Sequence, residues 1–118
     1  MALEDKAREL GRLIGQSDEY RAVTRANEGL TGDVEATAVL RQMEGLRREA
    51  QEMLQRGEEP TEDMEKQLDE MLGRVQSNPA YQRVAVAQEN LDKVMRLVND
   101  WISDGITKGA QSSIITLA

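Results

Sequence analysis

Two long stretches of this chain place apolar residues alternately three and four positions apart, and that spacing dictates helices that must lie against other helices. Between Val34 and Arg56 the apolar positions are Ala36, Val39, Met43, Leu46, Ala50 and Met53. Between Pro79 and Lys108 the stripe is Tyr81, Val84, Gln88, Leu91, Met95, Val98 and Ile102, widened by Val94 and Trp101. A strict alternation of three and four keeps one seam on one side of a helix, which is the heptad pattern of helices packed side by side. β-branched residues are scattered, and no stretch of the first 108 residues sustains a period of two. The expected fold is therefore all-α: an elongated bundle of about five helices in which two long heptad helices dominate.

Capping and breaking residues divide the remainder. A first helix is expected over Ala2 to Ile14, with Leu3, Ala7, Leu10 and Ile14 on one stripe and Gly15 at its stop. Ser17 offers an N-cap, with Asp18 and Glu19 in the first turn, where acids suit the helix dipole. A second helix follows to about Glu28, carrying Tyr20, Val23 and Asn27, with Gly29 and Gly32 loosening its end. Asp33 caps the third helix, Val34 to Arg56; Gly57 stops it at the C′ position, and Pro60 lies just beyond. Thr61 caps a fourth helix that carries Met64, Leu68, Met71 and Val75 and ends near Gln76. Pro79 opens the fifth behind an Asn78 or Ser77 cap, because the residue before proline avoids the α region and proline suits the first turn. A helix of roughly 30 residues is about 45 Å long, whereas a compact domain of this mass is about 30 Å across. The fifth helix must overhang its bundle, and an overhanging apolar stripe needs a partner. Residues 1–108 read as one helical domain and 109–118 as a flexible tail, Ser-rich and then apolar.

Composition narrows the chemistry. The chain has 118 residues, with no cysteine and no histidine. That removes disulfides, zinc and iron–sulfur ligation, thiol catalysis and histidine-based triads. The net charge is −7, from 15 Lys and Arg against 22 Asp and Glu. An acidic balance opposes binding to phosphate backbones and to anionic lipid. Direct contact with nucleic acid or membrane is therefore not expected. The charged N-terminal residues do not read as a signal peptide, and no run approaches ~18 apolar residues, so the expected location is the cytoplasm.

Three clusters have plain readings. Residues 58–70 hold seven acids and one lysine, but without the glycine-centred calcium loop or the Glu-x-x-His pairs of di-iron bundles. They read as a solvated acidic face, and neither a metal nor another cofactor is expected. The glycines of 11–15 and 29–32 follow no strand and precede no Gly-Lys-Ser/Thr, so they read as helix ends rather than phosphate loops. Arg41, Arg47, Arg48 and Arg56 are interleaved with Glu44, Glu49 and Glu52 at helical spacing, as in a solvent-facing lattice of ion pairs. Asn27 and Gln88 interrupt apolar stripes. Such residues either fix register or partner choice, or stand where a stripe meets water.

The order of these features resembles the YlbF/YmcA family of small helical bacterial regulators over roughly residues 3 to 108. The residues that carry it are Ser17-Asp-Glu19-Tyr20 after a short first helix, Asp33-Val-Glu35-Ala36 opening a long one, a glycine-broken acidic turn, and Asn78-Pro79 leading to Ala87-Gln-Glu89. The resemblance implies an oligomeric, cytoplasmic, non-enzymatic protein linked to competence, biofilm formation and sporulation. It also implies work in a complex that adjusts messenger-RNA processing through ribonuclease Y. Certain members carry C-terminal cysteines that help hold an iron–sulfur cluster in their shared complex. Here the tail offers Ser112 and Ser113 and no cysteine, so these residues do not fit a cluster.

The function expected is a regulatory adaptor acting through protein–protein contacts. The alternative is a structural or chaperone-like bundle that sheathes a client's helix. Secreted helical hairpins of similar length carry a Trp-x-Gly turn, whereas Trp101 is followed by Ile-Ser-Asp. The candidate interface is Val84, Gln88, Leu91, Met95, Val98, Trp101 and Ile102. The expected partners are a second copy, as a homodimer or dimer-based tetramer, and possible related family members or ribonuclease-associated proteins.

Overall fold

The computed structural model describes the backbone of residues 1–117 and side chains through residue 111. Five helices follow one another: α1 (Ala2–Gly15), α2 (Asp18–Gly32), α3 (Val34–Gln55), α4 (Glu62–Ser77) and α5 (Pro79–Leu117). There is no strand among the described residues. The molecule measures 69 × 36 × 23 Å, so the elongation expected from the length of the fifth helix is present.

The helices pack as two pairs. α3 folds back on α4, and α2 lies along α5. The pairs meet where α2 hands over to α3 and α4 to α5, and the core sits beside that junction. Val39, Met43 and Val75 form it, flanked by Leu40, Met71 and Tyr81. The α3 seam is best covered here: Ala36, Val39 and Met43 are buried, whereas Leu46, Ala50 and Met53 toward the turn are half-buried.

The caps explain why the chain breaks where it does. The Tyr20 N–H donates to Ser17 Oγ, Ala36 to Asp33 Oδ1, and Met64 to Thr61 Oγ1. Asn78, not Ser77, caps α5: its Oδ1 accepts from the N–H groups of Ala80 at 2.8 Å and Tyr81 at 3.2 Å. Ser77 instead donates to the Gly73 carbonyl. The two long helices are also tied at their starts, since Asn78 Nδ2 donates to Asp33 Oδ1 at 3.4 Å. At the far end of α3, Gly57 has φ +79°. Its N–H donates to the Leu54 carbonyl and that of Glu58 to Met53, the paired bonds of a Schellman stop.

Two helices run longer than expected. α2 passes Glu28 and ends at Gly32, and α5 passes Lys108 and ends at Leu117. A glycine costs a helix interior only about 0.5–1 kcal/mol unless it takes positive φ, and Gly29, Gly32, Gly105 and Gly109 do not. Gly29 lines the groove between α2 and α5, where an added Cβ would meet nothing within 4 Å. The expected tail of 109–118 thus begins inside helix α5; the side chains of 112–117 and all of Ala118 lie outside the described residues.

Candidate protein-interaction surface

The candidate interface divides within α5. Val98 is 6% exposed and Ala87 7%, and Val84, Leu91 and Val94 are half-buried. This is the face laid along the rest of the bundle. Met95 is 37% exposed, Ile102 46% and Trp101 64%, and Gln88 is exposed. Counted by the helical turn, Trp101, Ile102 and Gly105 continue the row of Leu91, Val94 and Val98. The chain covers this row as far as Val98 and leaves it open beyond, with Leu97 and Ile106 also exposed.

A second open surface was not singled out in the sequence. α1 buries none of its side chains. Leu3 and Leu13 are exposed, and Leu10 and Ile14 half-buried. The signal was present in its own spacing of three and four. Spacing alone does not say whether a short amphipathic helix finds cover within its own bundle.

Between α2 and α5 runs an open groove of about 620 Å³, floored by Ala22, Ala26, Ala80 and Ala87, with Arg25 and Arg83 at its sides. Among the described residues no ion pair within 4.0 Å holds either arginine. The polar interrupters have the plainer of their two readings. Asn27 and Gln88 both face water, and Gln88 Nε2 donates to Asp92 Oδ1. The buried polar residue that fixes helix register is Asn78, 9% exposed.

The charged clusters are surface features. The seven acids of 58–70 are all exposed, and among the described residues no group of three or more Asp or Glu is placed to hold a metal ion. The arginine lattice of α3 forms in part: Arg47 pairs with Glu44 at 3.9 Å, and Arg56 reaches past Gly57 to Glu58 at 3.6 Å. Among the described residues no buried side-chain polar atom lacks a partner, and no helix is long and apolar enough to cross a membrane.

An all-helical body of two packed pairs, with apolar helix faces open to solvent, defines a small helical-bundle protein. The family model for control of competence regulator ComK, YlbF/YmcA, matches residues 3–107. The chain belongs to that family. A UPF0342 protein of Streptococcus suis (strain 05ZYH33) is 34% identical over 87 residues, which is 74% of this chain and 78% of that one. One from Leuconostoc citreum is 23% identical over 99 residues, 84% of each chain. Among solved structures, Bacillus subtilis RicA, crystallised in complex with RicF, superposes with a TM-score of 0.79 at 18% identity, over 92% of this chain and 96% of RicA. A protein of unknown function (DUF964) from Bacillus stearothermophilus gives 0.64 at 19% identity, over 90% and 93%. These two structures share the fold.

Proposed function

We propose that this protein is a non-enzymatic regulatory adaptor of the bacterial cytoplasm that works by binding other proteins. The observation that carries the proposal is the α5 row, which runs out of cover after Val98 and ends in a Trp101 that is 64% exposed. Monomers rarely leave such contiguous apolar surface open, and aromatic residues anchor interfaces. Membership of a family described by control of a competence regulator supports the regulatory half of the reading. The fold shared with RicA, a protein crystallised with RicF, supports the contact half. The adaptor self-associates as a homodimer or dimer-based tetramer with α5 at the contact. It joins related family members or ribonuclease-associated proteins, and through them it adjusts messenger-RNA processing in pathways such as competence and biofilm formation.

Affinity capture of the tagged chain from its own organism, read by mass spectrometry, tests this. Recovery of a second family member or a ribonuclease-associated protein is expected, and deletion should change the processing of particular transcripts. Capture of one unrelated client whose helix the bundle covers, with transcripts unaltered, would overturn the adaptor reading in favour of a chaperone-like bundle.

A further inference from the structure

We infer that the assembly is an exchange of arms: α1 of one copy covers the open C-terminal half of α5 in the other, reciprocally about a two-fold axis. The inference rests on the self-association proposed above and specifies which surfaces meet.

Exposure makes the first argument. Thirteen large apolar side chains are exposed among the described residues, and eight lie either at residues 1–13 or at 95–106. The other five, Tyr20, Val34, Leu54, Leu72 and Val86, are scattered over α2, α3, α4 and the first half of α5. A single chain thus presents two uncovered helical faces, and a second copy supplies one of each.

Charge makes the second and identifies the occupant. α1 carries Glu4, Asp5 and Glu9 against Lys6, Arg8 and Arg12. From residue 92 onward, α5 carries Asp92, Asp100 and Asp104 against Lys93, Arg96 and Lys108. Each arm is neutral, so the whole net charge of −7 lies between them. Two copies that approach through their middles repel, whereas two that approach through their arms do not. The arms also satisfy much of their charge internally: Arg8 pairs with Glu4, Lys6 with Glu9, and Lys108 with Asp104. Beside these pairs the arms keep Asp5, Arg12, Arg96 and Asp100, two of each sign, and exposed apolar side chains.

Shape makes the third and decides which arm meets which. The open row of α5 is notched at Gly105 and Gly109, where an added Cβ would meet nothing within 4 Å. A notched row laid on its own copy sets gap against gap. A ridge of large side chains fills it, and α1 presents Leu3 and Leu10 on one face. The 14 residues of α1, about 21 Å, also match the described open stretch beyond Val98, residues 99–111, about 20 Å.

Complementary charge variants test the exchange. Leu3→Glu with Ala7→Glu places acid on α1; Ile102→Lys with Ile106→Lys places base on the α5 arm. All four positions are exposed, so each variant should keep the parent's circular dichroism. By light scattering the parent should have at least twice the monomer mass of 13.2 kDa, and each variant alone should fall to monomer. Mixed in equal amounts, the variants should regain the dimer. In the mixture one arm pair sets Glu against Lys and the other is unaltered, whereas each variant alone sets a charge against an apolar face twice. A parent dimer whose variants stay monomeric on mixing overturns the exchange but leaves self-association standing. Variants that remain dimeric alone show that another surface makes the contact. Loss of helicity in either variant shows those faces already covered within the chain. A monomeric parent overturns both the exchange and the self-association on which it rests.

Discussion

Val98 and Ile102 stand one helical turn apart on α5, on the same row, and their surroundings are opposite: 6% exposed against 46%. The difference recurs across the whole molecule. In the body, Ala87 and Val98 of α5 and the seam Ala36, Val39 and Met43 are buried by neighbouring helices of the same chain, and Tyr81, Val84, Leu91 and Val94 are half-buried. In the arms, α1 and the end of α5 carry apolar residues of the same kind at the same spacing, and among the described residues these stay exposed apart from the half-buried Leu10 and Ile14. The chemistry of the apolar side chains does not separate the two regions. Availability of an opposing surface does, because burial stabilises by area removed from water, and an apolar face gains nothing until something covers it.

That contrast can be broken most severely at Val75, 2% exposed in the small core. An unpaired buried carboxylate costs several kcal/mol, a large share of a typical domain's ~5–15 kcal/mol. Val75→Asp should abolish cooperative unfolding as followed by circular dichroism. A second comparison uses the adjacent turns of α5. Val98→Lys should strip α2 from α5, seen as lost hydrogen-exchange protection in both helices. Ile102→Lys should leave protection of the body unchanged. Equal effects at the two sites would mean that the row is covered along its whole length.

Smaller effects are expected where the body is tied together. Asn78 caps α5 with two accepted bonds and donates to Asp33, which caps α3. Loss of a cap costs about 0.5–2 kcal/mol. Asn78→Ala should reach about 2 kcal/mol in urea titration because the side chain is buried and joins two helix starts, and Thr61→Ala about 1 kcal/mol. At the α3 turn, Gly57→Val should cost about 1–2 kcal/mol, since a Cβ resists positive φ. Pro79→Ala should cost about 0.5 kcal/mol or less and leave α4 and α5 separate, because Asn78 still holds the break with ψ 125°. A reversed ranking in thermal melts would place the chain's rigid stops elsewhere.

Much of this architecture was legible in the residues. Ser17, Asp33 and Thr61 have the hydroxyl or carboxylate that an N-cap needs, Asn78 has a side-chain carbonyl before a proline, and each starts a helix. Among the described residues Gly57 alone adopts the backbone that only glycine takes easily. Helix ends without such chemistry were less legible: Gly29 and Gly32, and later Gly105 and Gly109, weaken a helix without ending it. Their fate depends on whether packing and continued hydrogen bonding outweigh a modest local cost.

Local chemistry in the sequence thus determined the class of fold, the four breaks between helices and the stripes available for burial. Periodicity and capping act within one or two turns and need no tertiary partner. Only the tertiary structure decided which stripes are covered. α2 lies along α5 and α3 against α4, so cover of the described α5 row stops at Val98, and no side chain of α1 is fully buried. Coverage is a relation between segments distant along the chain, and heptad spacing is the same whether the opposing helix comes from the same molecule or from another.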